Sequence, residues 1–331
     1  MKSNPNEPKH WASIQEAGTL FGLKFLWGIH KLLGRRAVSL LLYPTVIYFI
    51  AFRPVSRAAS LDFLRTHAKA YPMHWKRKPT ILHSARHFRE FAETVVDKLL
   101  AWYVHIDPDK FDIENPQAIE DLMADERGQL VIGTHMGNLE YCRGFMQRYR
   151  DKVINILIYD KHAANYAAIM HALNPDSRLN IFQVDDFEVD TMLKLKAKID
   201  QGEWVFIAGD RIPLTGLSRT VDVDFMGRSA PLPIGPFMLA KALACPVKLM
   251  FAYRDYSAKD ERVFFEVVSF AEKIELSRKS RMQDIQQLAQ KFASQLEKHC
   301  AKVPYQWFNF FPFWHDNTSE QPLISLEKTK K

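Results

Sequence analysis

His135 and Glu140 lie five residues apart in the run Leu130-Val-Ile-Gly-Thr-His135-Met-Gly-Asn-Leu-Glu140. They are the residue types that can take a proton from a hydroxyl at neutral pH. An imidazole with an ordinary pKa near ~6.5 accepts the proton, and a carboxylate can hold the ring in one tautomer, as the third member of a catalytic triad does. The run reads as an apolar strand ending at Gly133, a loop, and a helix begun by Asn138, a good N-cap, with Glu140 in its first turn. On one continuous helix this spacing would put His135 and Glu140 on different faces. A turn between them lets the carboxylate fold back. The backbone N–H groups around Gly137 and Asn138 are candidate donors to a developing oxyanion. Read without chemistry, the same residues are a loop histidine beside a capping glutamate.

A second apolar run, Trp204-Val-Phe-Ile-Ala-Gly209-Asp210-Arg211, ends in a charged pair. Arg211 could clamp a phosphate or developing negative charge, with Asp210 orienting it or the acceptor. A structural ion pair at a strand end is the plainer reading. Beyond it, Phe225 and Gly227 belong to an apolar Gly/Pro segment, Asp224-Phe-Met-Gly227-Arg-Ser-Ala-Pro-Leu-Pro-Ile-Gly235, that opens a helix. This segment could line a slot for an acyl chain, or be a loop facing the core. His83 and His87 have the i, i+4 spacing of a helical metal pair, but they lack the glutamate of HExxH and sit among Arg86 and Arg89. They read as a solvated helix face, and no metal site is expected. No G-x-S-x-G elbow is present, which disfavours a serine hydrolase.

Elements that could position these groups emerge from about residue 128 onward. Short runs rich in Val, Ile and Phe at 129–132, 153–159, 179–184, 204–208, 247–253 and 263–270 predict strands. Stretches at 138–149, 163–173, 189–199 and 233–244 predict helices between most of them, and 280–300 a last amphipathic helix. Such alternation predicts an α/β sheet layered with helices, with ligands at the carboxyl ends of its strands. Residues 56–122 read as helical and basic. Upstream, 11–34 mix aromatic, leucine and lysine residues as a helix at a membrane interface does, or as a helix packed against the main domain does. Residues 37–52 carry no charge and lie between arginines. As a helix they reach about 24 Å at ~1.5 Å per residue, short of a hydrocarbon core of ~30 Å, and Pro44 could kink them. They could be buried, span, or lie in the interface. The organisation expected is 1–54 as N-terminal membrane-associating helices, 55–314 as the main domain and 315–331 as a loose polar tail.

The chain has 331 residues, 47% of them hydrophobic and 25% charged, with a formal net charge of +7. That is a globular composition with material for a large core, and disorder is excluded as the default. The basic excess suits anionic lipid, an acidic carrier or nucleic acid. No RNA-binding module accompanies the aromatic residues 304–314, so nucleic acid is not expected. Three distant cysteines without CxxC spacing point to a reducing compartment, and the polar N-terminus to no secretory signal.

The block Gly133-Thr-His-Met-Gly-Asn-Leu-Glu140 resembles the HX4D/E block of the lysophospholipid acyltransferase superfamily, in its bacterial lipid A biosynthesis (lauroyl/myristoyl-type) branch. Trp11, Glu16 and Gly18, the segment Arg57-Ala-Ala-Ser60, the Asp210 strand end, Phe225-Met-Gly227 and Tyr305-Gln-Trp-Phe308 resemble that branch in the same order, over roughly 11–314. The resemblance implies a three-layer α/β/α acyltransferase domain behind a helical membrane anchor. It implies His135 as general base and Glu140 as its partner, with no covalent acyl-enzyme. Gly137, Asn138, Asp210, Arg211, Phe225 and Gly227 are the matching substrate-binding candidates. No cofactor is implied. The donor would be an acyl-carrier-protein thioester, the acceptor a lipid or glycolipid, and the place the cytoplasmic face of the inner membrane. Asp210-Arg211 departs from the Asp-Gln of many lipid A acyltransferases, and no FPEGTR-type phosphate block is present. The chain is similar in this to acyltransferases of aryl-polyene-type pigment and glycolipid pathways. Two other function classes fit the residues: a non-catalytic lipid-binding membrane protein, and a metal-dependent hydrolase using His135, Glu140 and Asp210.

Overall fold

In the computed structural model, residues 20–103, 110–138, 140–142, 152–158, 179–183, 189–212, 219–254 and 262–315 are described. The expected helix at 163–173, most of that at 138–149, the residues Trp11 to Gly18 and the tail beyond 315 lie outside them.

Two long helices come first, α1 (Leu20–Phe52) and α2 (Pro54–Ala70), followed by α3 (Ile81–Tyr103). Gly34, at φ 75°, breaks α1 into two helical pieces, a conformation a residue without Cβ adopts at no steric cost. Pro54 opens α2 at a position where its missing N–H would have had no partner. No single helix among the described residues is long and apolar enough to cross a membrane. The pieces Ala37–Phe52 and Pro54–Ala70, bent by 94°, could do so only as a broken span or re-entrant pair, by length and composition.

A short strand β1 (Phe111–Ile113) and α4 (Pro116–Ala124) lead into the sheet proper. Its strands are β2 (Gln129–Gly133), β3 (Ile154–Ile158), β4 (Leu179–Gln183), β5 (Trp204–Ala208), β8 (Val247–Arg254) and β9 (Val263–Ala271). Helix α5 (Val189–Asp200) precedes β5, α6 (Gly235–Leu243) precedes β8, and α7 (Arg281–Lys302) follows β9. The strand order is β1-β9-β8-β2-β5-β3-β4. Strands β8, β2, β5, β3 and β4 run parallel, while β9 is antiparallel to β8. Every residue of β2 is buried, as expected of a central parallel strand covered on both faces. Leu130 and Ile132 enter one core with Leu195, Leu239, Phe292 and Leu296 from α5, α6 and α7. Val131 enters another, with Ile119 and Leu122 of α4.

Six of the strands fall where the apolar runs placed them. The segment containing Phe225 and Gly227 is not the loop expected. It is a hairpin, β6 (Thr220–Phe225) and β7 (Arg228–Pro233), turning at Met226 (φ 57°) and Gly227 (φ 74°). Two positive φ values in a row give the turn whose twist matches that of paired strands. The His83/His87 pair is likewise not one solvated face. His83 is turned to the backbone of Thr80, whereas His87 is fully buried. The His87 Nε2–H donates to the Trp307 carbonyl, so Nδ1 accepts from Ser60. All three cysteines are buried and free.

Candidate active site

Three adjacent parallel strands, β5, β2 and β8, bring their carboxyl ends side by side. Register pairs Gly133 of β2 with Ala208 of β5, and two residues beyond each stand His135 and Asp210. The Nδ1 of His135 lies 2.7 Å from Asp210 Oδ1, and the His135 backbone N–H donates to Oδ2 at 2.7 Å. The indole N–H of Trp307 donates to the same Oδ2 at 3.0 Å. Because a carboxylate can only accept, the proton of the neutral imidazole sits on Nδ1. Nε2 is left with its lone pair. Asp210 is buried, but the His135 side chain keeps 32% of its surface exposed, so the free nitrogen is within a substrate's reach.

The loop carrying His135 is fastened from both sides. Met136 bridges to Trp307 and Gly137 to Ala252 of β8. The Gly137 N–H donates to the Gln306 carbonyl (2.7 Å), the Asn138 N–H to the Ala252 carbonyl (2.8 Å), and the Phe308 N–H to the His135 carbonyl (3.0 Å). Asn138 acts as the expected cap, its Oδ1 accepting from the Glu140 N–H at 3.0 Å. This corrects the expectation that the amides of Gly137 and Asn138 serve an oxyanion: the neighbouring strand and the C-terminal segment already occupy them. Gly137 also has φ 61°, and a Cβ there would overlap the Ala252 carbonyl and approach the Tyr253 side chain at 2.6 Å. Gly137→Ala is therefore expected to destabilise the fold by about 2–4 kcal/mol and to lower activity further by displacing His135. Thermal unfolding and rate measured on one preparation check both.

Glu140 is buried in the turn after Asn138. Its neighbour Tyr141 donates its hydroxyl to Asp97 of α3, and Arg254, at the end of β8, pairs with the same carboxylate at 3.5 Å. Arg254 thus braces the turn that carries Glu140. Arg211 donates to the Phe308 carbonyl at 3.0 Å, and its guanidinium lies 5.8 Å from the Phe311 ring centre. Phe225 is core, 5.1 Å ring to ring from Trp307, and Gly227 belongs to the hairpin turn. Trp307 and Asp97 were given no role from sequence. The block Tyr305-Gln-Trp-Phe308 was the available signal for Trp307.

Burial lowers the His135 pKa below its usual 6.5, and the positive charges of Arg211 and Lys98 act the same way, outweighing the pull of Asp210. Burial alone would raise the Asp210 carboxyl. The charge and hydrogen bonds of His135, with the charge of Arg211, instead hold it down to about 2. At neutral pH the pair is thus an ionised carboxylate and a neutral imidazole, the state a general base needs. Activity should rise with pH through a group titrating below 6.5 and then level off. Arg211→Gln removes a charge that lowers the His135 pKa, so the acid limb should move to higher pH. A rate–pH profile of both proteins checks the direction.

Among the described residues, no group of three or more His, Cys, Asp or Glu could hold a metal ion, so His135, Glu140 and Asp210 do not form the three-ligand cluster a metal-dependent hydrolase would use. The family model described as bacterial lipid A biosynthesis acyltransferase matches residues 85–316, spanning α3 to the end of the described C-terminal segment. No curated protein matches.

Proposed function

The chain belongs to the bacterial lipid A biosynthesis acyltransferase family, and from that premise we propose that it moves a fatty acyl group from an acyl-carrier-protein thioester to a hydroxyl of a lipid A-like or other glycolipid acceptor. The reaction takes place at the cytoplasmic face of the inner membrane, where carrier-protein thioesters are available. It needs no cofactor.

The observation that carries this reading is the His135–Asp210 pair, which leaves Nε2 as a free base on a partly exposed ring. Nε2 takes the acceptor's hydroxyl proton as its oxygen attacks the thioester carbonyl. The tetrahedral intermediate collapses, the C–S bond breaks, and the imidazolium returns the proton to the carrier's thiolate. Products are the ester and the carrier thiol, with the base regenerated. Arg211 and Lys98 supply positive charge beside the reacting centre. Asp210 fixes the tautomer. Glu140, the partner the resemblance assigns, lies in the turn that Asn138 caps.

Incubation with carrier protein loaded with isotopically labelled acyl groups and a bacterial lipid extract tests the reading. A lipid heavier by one acyl group is expected, and its mass identifies the acceptor. Vesicle binding without transfer from any chain length would instead favour a non-catalytic lipid-binding protein.

A further inference from the structure

Helix α3 turns two buried polar side chains, His87 and Glu90, toward the C-terminal segment. The His87 Nε2–H donates to the Trp307 carbonyl at 2.9 Å, and Glu90 Oε2 accepts from the side-chain Nε2–H of Gln306 at 2.7 Å. Gln306, Trp307 and Phe308 in turn hold the reacting centre. The Gln306 carbonyl accepts from the Gly137 N–H, the Trp307 indole donates to Asp210, and the Phe308 N–H donates to the His135 carbonyl. One turn of α3 thus stands directly behind the segment that steadies both the loop of His135 and the carboxylate that orients its ring.

Glu90 is the costly member of this support. Its surface is only 3% exposed. Burial raises its carboxyl pKa, and the hydrogen bonds from Gln306 and Arg86 work against that rise. The Arg86 Nε–H donates to Oε1 at 2.8 Å, while the Arg86 guanidinium lies 4.2 Å from the Tyr305 ring centre. Each carboxylate oxygen therefore has its own donor. The Gln306 Oε1 is buried with no hydrogen-bond partner among the described residues, so the amide is turned to suit Glu90 and not its own oxygen. A buried charge of this kind adds little net stability over an apolar side chain of similar volume. Removing one of its partners is costly, so it holds them to one geometry.

We propose that Glu90 is a positioning residue for His135: by fixing Gln306 between α3 and the Gly137 amide, it sets the place of residues 306–308 and so of the Asp210 carboxylate against Nδ1 of the ring. Its consequence for rate rests on the acyl-transfer reading given above. It adds a group outside the strand ends on which the geometry of the base depends.

A reciprocal exchange tests this. Glu90→Gln keeps the size of the side chain but offers an acceptor to only one of its two donors. Gln306→Glu sets two carboxylates against each other. Together the two substitutions restore the pairing in reverse: position 306 accepts from position 90, which still accepts from Arg86. Each single variant should lose about 10–10²-fold in kcat per folded molecule, with little change in KM for carrier or lipid. The double variant should recover most of that loss. NMR of isotope-labelled histidine nitrogens reads the ring without turnover. His135 should carry its proton on Nδ1 in wild type and in the double variant, and should be a mixture of tautomers in both single variants. Wild-type kcat per folded molecule and an unchanged His135 signal in the single variants would overturn the proposal, whatever their unfolding midpoints. A double variant as slow and as mixed in tautomer as the single ones would overturn it too. A tautomer shift that follows the exchange in a protein that transfers no acyl group would support the positioning and sink the acyl-transfer reading alone.

Discussion

Asp210→Asn is expected to leave the protein folded and to lower acyl transfer by about 10²–10⁴-fold. The two oxygens of Asp210 have different duties. Oδ2 accepts both the His135 backbone N–H and the Trp307 indole N–H, while Oδ1 faces Nδ1 of the ring. An asparagine with its oxygen in the Oδ2 place keeps the first two bonds and presents an NH₂ group to Nδ1. The imidazole must then accept there and carry its proton on Nε2. It becomes a donor where the acceptor hydroxyl needs a base. Near-wild-type thermal stability with a collapsed kcat is the expected signature. A large loss of stability with activity per folded molecule preserved would mean that Asp210 serves only the fold.

His135→Ala should cost a similar factor, about 10²–10⁴ in rate, because the proton acceptor itself is gone. Alanine also leaves Oδ1 of the buried Asp210 carboxylate without its hydrogen-bond donor, so some destabilisation should accompany it. His135→Asn separates the two effects. Its side-chain NH₂ can stand in for Nδ1–H toward Asp210, yet it offers no base. It should be nearly as inactive as His135→Ala and closer to wild type in unfolding midpoint. Combining His135→Ala with Asp210→Asn should add little, since both act through one proton transfer.

How far the sequence carried this account differs by element. Strands β2, β5 and β8 were legible because central parallel strands are continuous apolar runs, and Leu130–Ile132 and Trp204–Ala208 contain little else. Asn138 was legible as a cap for a local reason, the fit of its side chain to the N–H two residues on. The hairpin of β6 and β7 was not, although Thr220-Val-Asp-Val-Asp-Phe225 alternates as a half-buried strand does. Pro231, Pro233 and Gly227 drew the segment toward a loop. The partner of His135 was out of local reach. Its Nδ1 meets Asp210, 75 residues away, because β2 and β5 pair in a register that brings Gly133 level with Ala208. The fate of the Gly137 and Asn138 amides is likewise non-local. They are taken by Gln306 and Ala252, on segments more than a hundred residues downstream. Trp307 shows the same limit: its indole could be counted in the sequence, but only the fold delivers it to Asp210.

The central claim is that His135, held by Asp210, is the base for direct acyl transfer. Rapid-quench single turnover with acyl-loaded carrier protein tests it most directly, comparing wild type and His135→Asn and weighing the intact protein at each time point. The account predicts that wild type moves the acyl group to lipid with no mass gain on the enzyme, and that the variant leaves the donor thioester intact. A protein that gains one acyl group before the lipid does, or a His135→Asn enzyme that turns over at the wild-type rate, would contradict it.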